Sequence, residues 1–175
     1  MSDELSRRDF LGRRPNKKLP VLPARVRPPG ALPEREFLAR CTGCMDCVQA
    51  CPHKAIHTLA AHVAPGAGTP VMVLASRPCH MCEGFPCAAA CDEQALAVPE
   101  TPVVRYGTVW IDTSVCLPYL GPECGACAGL CPKGAEGGLR LQRGRPSIDM
   151  DLCVGCGLCV TACVVRPSAI ELITV

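Results

Sequence analysis

"CTGCMDCVQACP", residues 41–52, sets four cysteines within eleven positions and closes on a proline. The spacing C-x2-C-x2-C-x3-C returns at Cys153, Cys156, Cys159 and Cys163. Between these copies, Cys79, Cys82, Cys87 and Cys91 stretch the middle gap to four residues, and Cys116, Cys124, Cys127 and Cys131 stretch the first gap to seven. The leading cysteines stand at 41, 79, 116 and 153, in steps of 38, 37 and 37. A period kept while the internal gaps vary marks four copies of one supersecondary unit.

The units share more than sulfur. Between the third and fourth cysteines lie "VQA", "AAA", "AGL" and "VTA". One helical turn of small side chains lets backbone approach a bulky inorganic group. After the fourth cysteine come "PHKAI", "DEQAL" and "VVRPSAI", each ending in alanine plus an aliphatic residue; the third unit departs with "PKGAEGGL". Strand-like sequence leads into three bunches: "TPVMVLASRPC", "VVRYGTVWIDTSVC" and "PSIDMDLC". The last alternates Ile148, Met150 and Leu152 against Asp149 and Asp151, the period of a half-buried strand. Unit one instead has "PEREFLARC", which predicts a short helix and leaves that unit without a leading strand. "LQRGRPSI" predicts a hairpin turning at Gly144.

Composition says what must hold these units together. The 175 residues include 16 Gly, 18 Pro and 16 Cys, but only 3 Phe, 2 Tyr and 1 Trp. The 49% hydrophobic share counts the cysteines and overstates the greasy interior. Turns should be frequent and little apolar surface is there to bury, so an ordinary core is not enough. The most apolar stretch, "VMVLA" at 71–75, is strand length, far below what a transmembrane helix requires.

A secreted disulfide scaffold would scatter its cysteines unevenly, since each bond joins distant loops. Zinc takes four ligands in a tetrahedron, usually as two separated pairs. Three cysteines in one C-x2-C-x2-C loop suit a cubane, whose neighbouring iron corners each accept one thiolate. The run C-x2-C-x2-C-x3-C-P is a bacterial ferredoxin pattern, with its fourth cysteine serving the other cluster of a pair. All sixteen cysteines are therefore expected ligands of four [4Fe–4S] clusters. The fold class expected is α+β, bacterial-ferredoxin-like, with two 2[4Fe–4S] modules in residues 34–175. Its units span about 34–70, 71–102, 103–143 and 144–175. A cysteine-rich zinc scaffold without a redox role is the alternative.

On this reading the clusters replace the missing core, and the apo-chain is expected to be largely unfolded. The formal charge of +2 becomes about −6 once four cubanes with their thiolates, each about −2, are counted. The units pair either sequentially, as neighbours tend to, or nested, second with third inside first with fourth. Both remain open from sequence.

The other candidates read as structural. His53, His57, His62 and His80 are surplus to the thiolates; His80, inside the Cys79–Cys82 loop, is placed to tune a cluster by hydrogen bonding but reads first as a loop residue. Tyr106 and Trp110 read as strand packing rather than a redox relay. Gly43, Gly155 and Gly157 supply permissive φ between ligands. Asp112, Asp149 and Asp151 read as solvated strand faces. With no Ser/His/Asp set, phosphate loop or paired carboxylates, the chain is expected to carry electrons rather than to be an enzyme.

Residues 1–33 are read as a basic, proline-rich arm. Residues 1–40 hold ten Lys/Arg against five acids, and six prolines lie from Pro15 to Pro33, which predicts an extended, mobile segment. It lacks the interleaved aromatics of a nucleic-acid tail, so no nucleic-acid partner is expected. "SRRDFLG", residues 6–12, matches the start of a twin-arginine export signal. Such a signal needs an apolar stretch of 7–15 residues, whereas "GRRPNKKLPVLPARVRPP" (12–29) carries six charges. A cytoplasmic location is expected, with periplasmic export as the alternative if this start is functional.

Four segments, Arg27–Pro52, Arg77–Cys91, Cys116–Pro132 and Cys153–Leu172, together resemble the ferredoxin-type accessory proteins of periplasmic nitrate reductase systems, grouped with the methylamine-utilisation ferredoxins. The resemblance implies one of two roles. NapG-like members are exported carriers that pass electrons from a membrane quinol oxidase towards a periplasmic reductase or dehydrogenase. NapF-like members are short and cytoplasmic, and are implicated in maturing the catalytic subunit. "CHMCEGFPC" is closer to the first kind; the length and the incomplete signal follow the second. The expectation is thus a NapF-type accessory ferredoxin whose protein redox partner is the catalytic subunit of periplasmic nitrate reductase, with the exported carrier as alternative.

Overall fold

The computed structural model describes residues 25–63, 65–132 and 134–174. Regular elements are short, as the glycine and proline content dictates. In chain order they are α1 (Glu34–Arg40), α2 (Asp46–Gln49), β1 (Ile56–Thr58), β2 (Pro70–Met72), α3 (Pro86–Ala89), β3 (Gly107–Ile111), α4 (Leu117–Leu120), β4 (Leu139–Gln142), β5 (Arg145–Ile148), α5 (Leu158–Ala162) and β6 (Ile170–Thr174). The strands make three two-stranded antiparallel ribbons, β1–β2, β3–β6 and β4–β5. Among the described residues no helix is long and apolar enough to cross a membrane.

The ribbons pair the units sequentially. In the second module, β4–β5 is the hairpin between units three and four, and β3–β6 joins the strand before unit three to the one after unit four. The hairpin register Gln142↔Arg145 leaves Arg143 and Gly144 as a two-residue turn with φ of 51° and 79°, the left-handed pair such a turn needs. In the first module, β1–β2 is the matching hairpin between units one and two. Its outer ribbon has shrunk to one bridge, Ala31↔Leu96, flanked by Leu32 N–H to the Ala95 carbonyl (3.1 Å) and Ala97 N–H to the Gly30 carbonyl (2.8 Å). The leading strand that unit one lacks in sequence is this residue-long remnant ahead of α1.

That remnant corrects the arm. Residues 1–24, with the "SRRDFLG" motif, lie outside the described residues, but 25–33 are part of the packed body. Pro28 and Pro29 are fully buried and Arg27 is 8% exposed. The Arg27 guanidinium donates to both Glu34 carboxylate oxygens (2.9 and 2.6 Å), to Thr69 Oγ1 (2.8 Å) and to the Pro70 carbonyl (2.7 Å). It also lies 4.5 Å from the centre of the Phe37 ring. Prolines suit such a buried extended segment because they bring no N–H to satisfy.

"PSIDMDLC" is also not strand throughout. β5 ends at Ile148, and the chain then turns because the Asp149 carboxylate accepts the N–H groups of Asp151 (3.1 Å) and Leu152 (3.3 Å). An aspartate that bonds the backbone two residues on makes a turn of its own, and this outweighs the alternating pattern.

The core is thin. Phe37, Leu74, Pro28, Pro29 and Pro146 are the largest fully buried side chains, and cysteines make up much of what surrounds them. One cluster of buried residues gathers Phe37, Leu74, Phe85 and Tyr106; a second gathers Val109, Ile111, Leu139 and Ile170.

Candidate metal centre

The units present their thiols by a small set of shared local devices, each used in at least three of the four. The N–H of the leading cysteine closes onto the carbonyl four residues back: Cys41 onto Phe37 (2.8 Å), Cys116 onto Asp112 (3.1 Å), Cys153 onto Asp149 (2.9 Å). In units three and four that residue is an aspartate whose side chain also braces the turn. Ser114 donates to Asp112 Oδ1 through both N–H (2.9 Å) and hydroxyl (2.6 Å), holding the Asp112 carboxyl below its ordinary range. Asp112 and Asp149 are thus loop braces, not idle strand faces. The third cysteine of units one, two and four sits on a single helical turn, in α2, α3 and α5.

The fourth cysteine of every unit accepts a backbone N–H on its Sγ. Ala55 donates to Cys51 (3.3 Å), Leu96 to Cys91 (3.4 Å), Leu139 to Cys131 (3.3 Å) and Ala169 to Cys163 (3.4 Å). This explains the recurrent alanine-plus-aliphatic pair. Ala55, Ala95 and Ala169 are 2%, 0% and 1% exposed, and any larger side chain there would lever the donor away from the sulfur. In unit three Gly138-Leu139 takes the same place despite its longer approach.

The thiols assemble into four quartets. Cys41, Cys44, Cys47 and Cys91 line one cavity with Phe37, Pro70 and Leu96. Cys131, Cys153, Cys156 and Cys159 line another with Val109, Leu139 and Leu158. Cys51 lies within electrostatic reach of Cys79, Cys82 and Cys87. Cys163 lies within reach of Cys116 and Cys127, which also feel Cys124. Each quartet takes three cysteines from one unit and the fourth from its sequential partner. The pairing that stays open in sequence is first with second and third with fourth.

Electrostatics test whether the residues fit a cationic inorganic group. Burial, and then the charges of Cys41, Cys44 and Cys91, push the Cys47 thiol up to about 11. Burial with Cys79 and Cys51 pushes Cys87 to about 12, and burial with Cys156 and Cys153 pushes Cys159 to about 12. Four thiolates cannot share such a pocket without positive charge between them, and metal coordination supplies it. Cys163 is the exception. Burial opposes its ionisation, but the Ala169 N–H, the Ser168 hydroxyl, the Val165 N–H and Arg166 together hold it below the ordinary thiol range.

Among the described residues no three His, Cys, Asp or Glu side chains converge on a point fit for one metal ion. A tetrathiolate zinc site draws its sulfurs to about 2.3 Å from one centre. Two of the quartets line hollows, and four thiols to a quartet, three of them from one unit, suit a group with one metal at each corner; the residues fit a [4Fe–4S] cubane.

The quartets stand in a definite order. The α2 and α3 turns pack together, joining the first two quartets, and Cys127 acts on Cys159 across the second module. The modules meet through Cys79. Its N–H, alone among the leading cysteines, turns away from its own unit and donates to the Cys156 carbonyl at 2.9 Å. From one end the order is Cys41/44/47/91, Cys51/79/82/87, Cys131/153/156/159, Cys116/124/127/163.

Sequence reasoning missed what seals this junction. Gly43, Gly155 and Gly157 do have φ of 76°, 68° and 88°. At Gly157, however, an added Cβ would lie 2.1 Å from the Leu74 carbonyl oxygen across the junction, and at Gly155, inside the second module, 2.7 Å from the carbonyl carbon of Gly107. Next to Gly155 and Gly107, Tyr106 N–H donates to the Val154 carbonyl (2.8 Å) within the second module. The histidines bring no extra ligand set together. His53 and His80 stack ring on ring, centroids 3.5 Å apart and planes within 5°, with burial and the His53 charge holding His80 below its ordinary range.

Known proteins carry the same pattern. A family model described as a 4Fe-4S dicluster domain matches residues 40–95, and one described as a 4Fe-4S binding domain matches residues 145–169. The ferredoxin-type protein NapG of Escherichia coli is 36% identical over 162 residues, covering 85% of this chain and 70% of the relative. The methylamine utilization ferredoxin-type protein MauM of Methylophilus methylotrophus is 37% identical over 158 residues, with 85% and 70% covered. The ferredoxin-type protein NapF of Escherichia coli is more distant, 28% identical over 148 residues, with 83% and 84% covered. No solved structure matches.

Proposed function

From a chain that belongs to the ferredoxin-type family of NapG and MauM proteins, we propose a carrier with four [4Fe–4S] clusters, one per quartet, on an α+β, bacterial-ferredoxin-like scaffold. When bound, such clusters each accept and release one electron without a change in ligands. The sixteen cysteines hold them; the four backbone N–H donors to Cys51, Cys91, Cys131 and Cys163 stabilise negative charge on those sulfurs. Aliphatic walls, Val48 and Leu96 in the first module and Leu139 and Leu158 in the second, line two of the cavities. The observation that carries this reading is that each quartet adjoins the next, with the two modules joined by the Cys79 N–H to the Cys156 carbonyl. The two ends fall in different modules, suiting a chain that takes electrons from one protein and gives them to another.

The partner is proposed as a reductase or dehydrogenase fed from a membrane quinol oxidase. The higher identity to NapG and MauM than to NapF supports this carrier role. A second reading, a NapF-type cytoplasmic accessory of the nitrate reductase catalytic subunit, is favoured by the six charges that follow "SRRDFLG" where an export signal is apolar. Oxygen-free purification tests the common premise: about sixteen irons and as many acid-labile sulfides per chain are expected. Near-zero content in folded protein overturns it, and zinc in their place establishes the binding scaffold. Fractionation of untagged protein then separates the roles. Folded protein confined to the cytosol, recovered with the catalytic-subunit precursor, defeats the carrier reading; periplasmic protein recovered with a quinol oxidase defeats the accessory one.

A further inference from the structure

The tip of the β4–β5 hairpin puts a cationic surface beside a terminal quartet. Arg143 and Gly144 form the two-residue turn, and Arg143 holds a φ of 51° there. Such a position ordinarily takes asparagine, aspartate or glycine, because other side chains are strained in the left-handed region. Arg143 is exposed, and no described acid pairs with it: the ion pairs among the described residues are those of Arg25 and Arg27 with Glu34. A strained cation without a counter-charge adds nothing to the fold, which points to a use outside it.

Arg145 stands beside it and is held in place. Its guanidinium lies 5.3 Å from the centre of the Tyr119 ring, and its Nε donates to the Pro118 carbonyl at 3.2 Å. Tyr119 is fixed in turn, its hydroxyl donating to the Pro146 carbonyl at 2.9 Å. The planar fork of Arg145 is therefore pre-positioned, again with no described acid to meet it.

Two concave surfaces share Arg143. One is lined by Tyr119, Gln142, Arg143, Arg145 and Ser147. The other is lined by Leu141 and Arg143 together with Glu123 and Cys124. Cys124 belongs to the Cys116/124/127/163 quartet, so this second surface opens on a ligand of the site that ends the series. Leu141, and Leu120 on α4, are 40% and 59% exposed. Exposed apolar side chains set among tyrosine and arginine have the composition of a protein interface.

Charge complementarity names the occupant. With its clusters the molecule carries about −6, so an acidic protein is repelled by it as a whole and attracted at this tip. The opposite end has no such single sign: Arg40 precedes Cys41, while Asp46, Asp92 and Glu93 adjoin Cys47 and Cys91. Concave walls around a cluster ligand also fit a protein surface better than a flat bilayer. We propose that the β4–β5 tip, with Tyr119 and Leu120, docks an acidic face of a protein redox partner and brings that partner's one-electron centre to the Cys116/124/127/163 site. The proposal rests on the carrier reading and adds which end a partner meets, and by what charge. One electron passes between the two centres at each encounter, and no covalent bond forms or breaks.

The probe is flavodoxin, a small acidic protein whose reduced flavin gives up one electron. Its binding to anaerobically purified holoprotein is read by biolayer interferometry, and electron transfer by stopped-flow bleaching of the cluster absorbance. Binding is expected at about 10 mM salt, where charges act over about 30 Å, and should fade at about 1 M, where they act over about 3 Å. Arg143→Asn suits the turn better, so thermal stability should hold or rise while affinity and rate fall about two- to threefold at low salt. Arg143→Glu should lower both about tenfold. Arg35→Glu, the same change of net charge on α1 in the other module, should lower them less than about twofold. Equal effects of the two reversals overturn the proposal, as does binding indifferent to salt or Arg143→Asn that binds like wild type. If Arg143→Glu does not load its clusters, Arg143→Lys takes its place and must bind like wild type where Arg143→Asn binds more weakly; otherwise the proposal falls. Vesicles of phosphatidylglycerol that bind through Arg143 while flavodoxin does not would assign the surface to a membrane and overturn it too. Each of these results, with iron present, strikes the docking surface and leaves the four-cluster carrier standing. Folded protein without iron overturns the carrier reading instead, whatever it binds.

Discussion

Gly157 combines two demands that only a residue without a side chain meets. Its φ is 88°, and a Cβ would fall 2.1 Å from Leu74's carbonyl oxygen in the other module. Gly144, at the β4–β5 turn, has a comparable φ of 79° but nothing within 4 Å of its would-be Cβ. Gly157→Ala is therefore expected to cost at least about 2–3 kcal/mol, and Gly144→Ala only about 1 kcal/mol. Thermal loss of the cluster absorbance in the two variants checks the difference; equal losses would mean that φ alone matters at Gly157. The spacing between ligands already pointed to a permissive backbone at this position. The close approach was hidden, because it depends on a carbonyl more than eighty residues earlier in the chain.

Arg27 and Glu34 also act at this scale. The Arg27 hydrogen bond is the largest influence on Glu34 and holds its carboxyl below the ordinary 4.5, against an opposing contribution from burial. A lowered folded-state value means that the stability it confers is complete above about pH 4.5. It disappears as pH falls through the lower, folded value. Glu34→Gln is expected to lose about 1 kcal/mol or less at pH 7, since the carboxylate is half exposed. The deficit should shrink below pH 4.5, as read from denaturant midpoints between pH 7 and 4. A deficit unchanged with pH would mean that the ion pair is not its source.

Among elements, the exchange of fourth cysteines carries the sharpest consequence. Cys91 belongs with Cys41, Cys44 and Cys47, across the cavity from its own unit, and Cys51 belongs with Cys79, Cys82 and Cys87. Cys91→Ser is expected to perturb the same EPR signal as Cys44→Ser, and Cys51→Ser the same signal as Cys82→Ser. Signals grouped by sequence unit instead would contradict the exchanged quartets. The loops that carry these cysteines have their own braces. Asp149→Ala should loosen the Cys153 loop by about 1 kcal/mol through two lost backbone partners, while Asp149→Asn keeps an acceptor and most of the stability. Thermal melts that rank Asn with Ala would contradict this. Here alternation in "PSIDMDLC" misled, because period two is indifferent to whether an aspartate points to solvent or bends back to its own backbone.

At the scale of the molecule, side chains supply a core too thin for a chain of 175 residues. Removal of iron by an anaerobic chelator is expected to abolish most far-UV structure and to make the chain protease-sensitive; retained structure would show that the polypeptide folds unaided. The repeat period, the cysteine spacing, the hairpin at Gly144 and the helix at 34–40 were all legible in sequence. They depend on residues near one another in the chain, whose spacing is itself the chemistry of ligation and turning. Which units pair, that Cys79 reaches for Cys156, and that residues 25–33 belong to the body were not legible. These are contacts across tens of residues, made largely by main-chain atoms that every residue possesses, so only the folded arrangement selects them.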